Sequence, residues 1–346
     1  MEATELDRAA GAEVIAFARG AAKSAAGAAQ DPGKLKILGT LVNMSVPQAN
    51  YPRKDLIAAM EDAGLGEEFA PREPSERDAF RRATRSLRVN RVPVDAMATQ
   101  RLFGTERRYA NVLIRDARTS GPSIVRLAVR EVVDSAGAVL DYENVAHLEL
   151  DSGGRLDAYP LVAGLLLEER DVIERAQEAY EVAKSHHDDG AVRTVITRAL
   201  GGARGLPMLP SGGAYFVPAE HEATVLAAYR FVCELNERLG EKAPRIIFIP
   251  TDLVDKESAR EDLVAALADK VKRDARGLRN EMTQVLKKGT KITQLRQEDL
   301  FERVRALKRY VSDYEAILER EMTDNRADLE LAQKQAVSLL SQVEVR

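Results

Sequence analysis

The sequence is poor in cysteine, lacks tryptophan and has no long apolar run. Its 346 residues include one cysteine, Cys233, so the chain by itself forms neither a disulfide nor a cysteine-based metal cage. A single cysteine is typical of a reducing compartment, and we expect a cytoplasmic location. No apolar run approaches the roughly 20 residues of a membrane-spanning helix. The first residues are acidic rather than basic, so we predict neither a membrane partner nor a secretory signal.

Sequence motifs for phosphate binding and for nucleophilic catalysis are also missing. The chain has no G-x-x-x-x-G-K-[ST], G-x-G-x-x-G or G-x-S-x-G segment. His186 and His187 are adjacent, and adjacent side chains on a helix point about 100° apart, so the two do not easily share a metal ion. We therefore predict no catalytic residue, no cofactor and no metal site.

Charge is nearly balanced over the whole chain. The sequence has 51 basic and 55 acidic residues, a net charge of -4, so no global positive field draws the protein to nucleic acid or to an anionic membrane. Any such contact requires a local basic patch. Two patches occur: residues 72–118 contain 12 basic and 6 acidic residues, and residues 270–291 contain 8 basic and 2 acidic residues.

Residues 1–100 have a helical pattern. The alanine-rich segment 4–29 has apolar residues at three- and four-residue spacing, which predicts a helix. Three shorter helices are predicted over Leu35–Val42, from Pro52 to Gly64 and from Pro74 to Leu87, since proline in a first turn and glycine after a last turn are typical helix boundaries. Three short helices of this kind can form a helix-turn-helix-like unit.

The last of these helices carries the first basic patch. In a helix-turn-helix unit this helix enters the DNA major groove. The nucleic-acid-binding residues predicted here are Arg77, Arg81, Arg82, Arg85 and Arg88. The alternative is a solvated helix face whose arginines pair with neighbouring carboxylates.

Residues 101–252 are predicted to form an α+β domain. Alternating apolar and polar residues indicate strands over Tyr109–Arg115, Ile124–Val133 and Val145–Leu150, a pattern typical of an antiparallel sheet with one covered face. A hairpin is predicted between Leu206 and Pro218, because Gly212 and Gly213 allow the positive φ of a tight turn. Residues 245–249 (RIIFI) have four apolar residues after Arg245, which predicts a strand buried on both faces.

Residues 253–346 are predicted to form a long antiparallel coiled-coil hairpin. Two apolar stripes at helical spacing flank a reversal near Gly289. The second stripe contains the residues predicted to mediate oligomerisation: Leu300, Val304, Leu307, Val311, Tyr314 and Leu318. A two-helix seam is narrow, so it is stabilised further if a second copy covers it. The competing interpretation is that the hairpin folds back on its own α+β body.

The second basic patch lies on the first arm of this hairpin. Its predicted nucleic-acid-binding residues are Lys270, Lys272, Arg273 and Arg276. If they contact phosphate, binding should weaken steeply with salt, because each neutralised phosphate releases condensed counterions. The alternative is a charged flank that sets the orientation of helix pairing.

Three segments resemble an uncharacterised family found in bacteria and their phages. They are PREPSERDAFRRATRSL (residues 71–87), DYENVAHLELD (141–151) and PSGGAYFVP (210–218). The resemblance implies no function.

From the residues themselves we predict an α+β, non-enzymatic oligomerising or scaffold protein. Its partner is a second copy or another protein, bound through the C-terminal hairpin. The alternatives are a nucleic-acid-binding protein that uses the basic patches and an enzyme with an unrecognised site.

Overall fold

A computed structural model describes residues 35–85, 87–93, 108–117, 123–288, 294–321 and 329–334. The alanine-rich segment 4–29, predicted as a helix, lies outside these residues. Contacts between residues divide the chain into two units. The larger unit contains residues 41–250, and the smaller unit contains residues 1–40 together with 251–346.

The described residues form both strands and helices, and five of the strands follow one another directly. The strands are β1 (Ile37–Ser45), β2 (Tyr51–Pro52), β3 (Arg88–Pro93), β4 (Tyr109–Asp116), β5 (Ile124–Val133), β6 (Val139–Leu150), β7 (Leu156–Pro160), β8 (His186–His187), β9 (Leu206–Pro207), β10 (Ala214–Pro218) and β11 (Ile247–Val254). The helices are α1 (Arg53–Asp62), α2 (Glu76–Arg85), α3 (Leu167–Ser185), α4 (Asp189–Gly202), α5 (Glu222–Leu239), α6 (Glu257–Lys288) and α7 (Gln294–Leu318). The fold is therefore α+β.

The first described element differs from the sequence prediction. The helix predicted over Leu35–Val42 is wrong, because this stretch runs into strand β1. A short apolar run fits a helix or a strand, and here burial alternates: Val42 and Met44 are buried and Asn43 is exposed. The helices predicted from Pro52 and Pro74 are confirmed as α1 and α2. The predicted three-helix unit is therefore absent from this described stretch.

One core of the larger unit lies between a four-stranded sheet and helices α1, α4 and α5. The strand order of the sheet is β11-β1-β10-β9. The helices contribute fully buried side chains to this core, among them Leu56, Ile196, Leu200, Phe231 and Leu235. The predicted hairpin is confirmed as β9 and β10, in which Tyr215 pairs with Pro207. Gly212 and Gly213 have φ of 78° and 87° in its turn.

Strand β11 is exposed on one side. The prediction that this apolar stretch is buried on both faces is wrong. The strand lies at the end of the sheet order, and its side chains alternate between core and solvent. Phe248 is 6% exposed, whereas Ile247 and Ile249 are 47% and 54% exposed. An edge position explains the difference, because a side chain on the outer face of an edge strand need not be covered.

A second core of the larger unit lies under a five-stranded antiparallel sheet of order β3-β4-β5-β6-β7. The three predicted strands are confirmed as β4, β5 and β6, although β6 begins earlier, at Val139. Helices α2 and α3 pack on one face, where the ring of Phe80 meets that of Tyr180 edge-on at 6.2 Å. Ala128 of β5 faces this core, paired with Ile114 and Ala146.

The two long helices of the smaller unit pack against each other and run in opposite directions. Helix α6 has 32 residues and α7 has 25. Glu257 at the start of α6 pairs with Arg320 just after α7, whereas Glu281 near the end of α6 pairs with Arg296 near the start of α7. The helices therefore run antiparallel. None of the described helices is both long enough and apolar enough to cross a membrane.

Candidate interaction surfaces

The apolar stripes of α6 and α7 are buried within the single chain. All six predicted oligomerisation residues are at most 7% exposed: Leu300, Val304, Leu307, Val311, Tyr314 and Leu318. The stripe of α6 is also buried, with Leu263, Leu267, Val271, Ala275, Leu278 and Met282 each at or below 5%. The stripes are therefore covered within the chain, whereas the outward faces of these helices are exposed. A direct role of the six residues in assembly stays a prediction.

An ion-pair cluster joins the start of α6 to the end of α7. The Arg260 guanidinium donates from Nε to Asp255 Oδ1 (2.7 Å) and from Nη2 to Oδ2 (2.8 Å), and from Nη1 to the carbonyl of Leu318 (2.6 Å). The Lys36 ammonium lies 3.3 Å from Asp255 and 3.0 Å from Glu319. The hydrogen bond from Arg260, assisted by Lys36, lowers the pKa of Asp255 to about 2. Arg260, held by Asp255, therefore joins the start of α6 to the end of α7.

The second basic patch divides into an inward and an outward part. The Lys270 ammonium lies 2.5 Å from Asp274 Oδ2 and 5.0 Å from the centre of the Tyr310 ring, so it belongs to the contact between the helices. The other predicted residues, Lys272, Arg273 and Arg276, are exposed. They form no ion pair with a described residue. We call these three the basic half of α6.

Helix α2 presents an arginine face to solvent. Ser75 begins the helix, and its Oγ accepts a hydrogen bond from the Asp78 amide (3.1 Å). One side of the helix is apolar and buried through Ala79, Phe80 and Ala83. The opposite side carries exposed arginines at four-residue spacing, and one more follows in β3. The arginine face comprises Arg77, Arg81, Arg85 and Arg88.

Arg82 differs from the other predicted arginines because it points into the protein. Its Nη2 donates to the carbonyls of Ala183 (2.6 Å) and His186 (2.5 Å), where α3 ends. The last carbonyls of a helix have no partner within the helix, and a guanidinium there also interacts favourably with the helix dipole. Arg82 therefore joins α2 to α3 and is not part of the arginine face.

Arg126, which no sequence pattern singles out as functional, positions the arginine face. This residue of β5 is 7% exposed and lies beneath α2. Its Nη1 donates to Thr84 Oγ1 and, at 3.4 Å, to the carbonyl of Arg81, while its Nε lies 3.0 Å from Asp116. The sequence does contain a signal for this position. Arg126 lies two residues before Ala128 in an alternating strand, and residues two apart in a strand share a face, which here is the covered one.

Glu169 and Arg130 form a second largely buried charge pair that the sequence does not predict. The guanidinium donates to Oε1 at 2.6 Å and to Oε2 at 2.8 Å, and Glu169 is fully buried. Oε2 also accepts from the amide of Leu166 at the start of α3 (2.8 Å). The hydrogen bond to Glu169 raises the pKa of Arg130. This pair fixes α3 on the sheet.

A cavity of about 550 Å³ lies beside α1 and the end of α3. Its wall includes Arg53, Lys184 and His186, but Arg53 pairs with Glu73 (3.2 Å) and Lys184 pairs with Glu181 (2.7 Å). The neighbouring His187 is buried, and burial followed by nearby arginines lowers its pKa. Among the described residues no three His, Cys, Asp or Glu side chains are grouped so that they could hold a metal ion. We assign this cavity no ligand.

These features define an α+β protein whose exposed charges are arranged on helix faces. The chain belongs to DUF6744, a family of unknown function, whose sequence signature matches residues 37–345. The predicted resemblance to an uncharacterised family is thereby confirmed, and it implies no function. No curated protein and no solved structure matches the chain.

Proposed function

We propose that the chain is a non-enzymatic scaffold protein that self-associates through α6 and α7, which together form an antiparallel coiled-coil hairpin. The buried residues of α7 recur by four and three, as in a heptad seam. Charged pairs flank the seam, such as Glu281 with Arg303 at 2.9 Å. At a rise of about 1.5 Å per residue, α6 extends roughly 50 Å.

One observation carries this proposal: after its apolar stripe has packed, α6 keeps an exposed, charged outward face between residues 261 and 276. Six exposed charged side chains of this face form no ion pair with a described residue, whereas charges beside the seam do, as Glu281 does with Arg296. The six are Glu261, Asp262, Asp269, Lys272, Arg273 and Arg276. Long helices with such outward faces suit docking to another protein, because charge patterns on helix flanks select the partner and its orientation.

The test is the mass of the full chain in solution. We expect gel filtration with light scattering to give a mass above that of one chain, increasing with protein concentration. High salt should lower the mass, because exposed charges are screened. A mass of one chain at every concentration would contradict self-association.

A second candidate function is binding of nucleic acid, and the arginine face favours it. Arg81, Arg85 and Arg88 are exposed and form no ion pair with a described residue. Arg81 and Arg85 lie four residues apart on α2, a rise of about 6 Å along its axis, and Arg88 follows at the start of β3. This spacing suits contacts with neighbouring phosphates of one strand, which would make binding independent of base sequence.

Mobility shifts with DNA and RNA over a range of salt test this candidate. The variant Arg81→Gln/Arg85→Gln/Arg88→Gln should bind more weakly, and the slope of log K against log salt should become shallower by roughly 2–3, since each phosphate contact contributes about 0.7–0.9. The matched control replaces Arg303, Arg305 and Arg309, which are ion-paired within the chain. Equal losses in both variants, or no shift at low salt, would contradict the candidate.

A further inference from the structure

The outward face of α6 separates its charges along the helix. The first part of this face is acidic and exposed, and we call it the acidic half: Glu261, Asp262 and Asp269. The basic half, already defined, follows it directly. At about 100° per residue all six side chains lie within roughly one third of the helix circumference, opposite the buried stripe. The face therefore changes sign once, between Asp269 and Lys272.

None of these six side chains forms an ion pair with another part of the chain that the structure describes. Asp269 lies three residues before Lys272 and four before Arg273, a spacing that permits pairing within a helix, yet neither pair forms. Other charges of α6 are used internally, as Lys270 is with Asp274 at 2.5 Å. The folded chain thus leaves one face with two complementary halves.

We infer that this face binds the same face of a second copy in the antiparallel direction. An antiparallel approach sets the acidic half of each copy opposite the basic half of the other, whereas a parallel approach sets like charges together. The arrangement is two-fold symmetric, because each copy contributes the same surface. The inference rests on the proposed self-association and identifies the surface that carries it.

Charge complementarity favours a second copy over a polyanion at this face. A nucleic acid would be attracted by the basic half and repelled by the acidic half, which begins within one helical turn. A second copy satisfies both halves together. Exposed ion pairs are individually weak and are screened by salt, so the pattern sets direction and partner choice, and the association depends on concentration and salt.

Two charge-reversal variants of the full chain test the inference. Variant A carries Glu261→Lys, Asp262→Lys and Asp269→Lys, so its outward face is entirely positive. Variant B carries Lys272→Glu, Arg273→Glu and Arg276→Glu, so its outward face is entirely negative. We expect each variant alone to have the mass of one chain at concentrations where the unmodified protein has twice that mass. An equimolar mixture of A and B should recover the doubled mass at low salt and lose it at high salt.

The matched control reverses three exposed charges elsewhere, through Arg170→Glu, Arg230→Glu and Lys242→Glu, and should leave the mass of the unmodified protein unchanged. Circular dichroism should show the same helix content in all variants, because the changed residues are exposed. If A or B alone keeps the doubled mass, or if their mixture stays at the mass of one chain, the surface is wrong although self-association stands. If the unmodified protein itself has the mass of one chain throughout, the proposed self-association fails first.

Discussion

Glu169 is a fully buried carboxylate whose charge is balanced by one residue, Arg130. The variant Glu169→Ala removes two hydrogen bonds from the guanidinium, at 2.6 and 2.8 Å, and leaves the half-buried cation with only the exposed Glu143, at 3.1 Å, as a described ion-pair partner. We expect the free energy of unfolding to fall by about 3–5 kcal/mol, the usual result of breaking a buried pair from one side. Urea denaturation followed by circular dichroism measures the change.

The control for this prediction is a more exposed ion pair of the same sheet. Arg155 pairs with Asp157 of β7 at 2.9 Å, and their side chains are 77% and 32% exposed. Exposed pairs typically contribute less than about 1 kcal/mol, so Arg155→Ala should change the free energy of unfolding by no more than that. Equal losses for Glu169→Ala and Arg155→Ala would show that burial of the pair is not what makes it stabilising.

Asp255 predicts a pH dependence of stability. Its pKa is about 2 in the folded chain, against an ordinary value of 3.8. Because folding lowers this pKa, the stabilisation is complete above the ordinary value and is lost as pH falls through about 2. Asp255→Asn should therefore lower Tm at neutral pH and have much less effect near pH 2. Thermal melts at both pH values measure this, and an equal decrease in Tm at the two would contradict the charge-based explanation.

Among single residues, sequence predicts which side chains form a basic patch but not which of them face solvent. Arg81 and Arg82 are adjacent in sequence, yet only Arg82 donates to the end of α3, 101 and 104 residues away. A pattern in the residues around Arg82 cannot predict these two carbonyl acceptors. The same holds for Glu169, whose burial depends on Arg130 in a different element.

At the level of elements, the turn between β9 and β10 depends on glycine. Gly213 has a φ of 87°, and a Cβ there would lie 3.4 Å from the carbonyl oxygen of Met44. Gly213→Ala should lower the free energy of unfolding by about 1–2 kcal/mol, because side chains disfavour positive φ. The control is Gly201→Ala in α4, where no atom lies within 4 Å of the added Cβ. That change should be neutral or stabilising by up to about 1 kcal/mol, and a loss equal to that of Gly213→Ala would refute the explanation.

Sequence predicts elements well where periodicity extends over many residues or where turn residues define an end. Helices α1 and α2 have proline near their starts, and β5 has the bounds expected from its alternation. Prediction fails for β1 and for the burial of β11. Both are short apolar runs, and their conformation and burial depend on neighbouring strands that are distant in sequence.

For the whole molecule, the division into units follows contacts that no single stretch of sequence contains. The smaller unit joins residues 1–40 to residues 251–346. The ion pairs of Lys36 with Asp255 and with Glu319 show the physical reason, because they join a residue of the 1–40 segment to two residues of the 251–346 segment. Composition and periodicity predict helices α6 and α7 of this unit. They do not predict that the segment around Lys36 belongs to the same unit.

Each unit has its own fully buried leucine, Leu200 in the larger unit and Leu267 in the smaller unit. Leu200→Ala and Leu267→Ala each remove a buried side chain and leave a cavity, so each should lower the free energy of unfolding by about 2–5 kcal/mol. Urea denaturation followed by circular dichroism measures both changes. The matched control is Leu209→Ala, because Leu209 is 51% exposed and its loss should change the free energy of unfolding by less than about 1 kcal/mol. A loss for Leu209→Ala as large as that for either buried leucine would contradict burial as the cause.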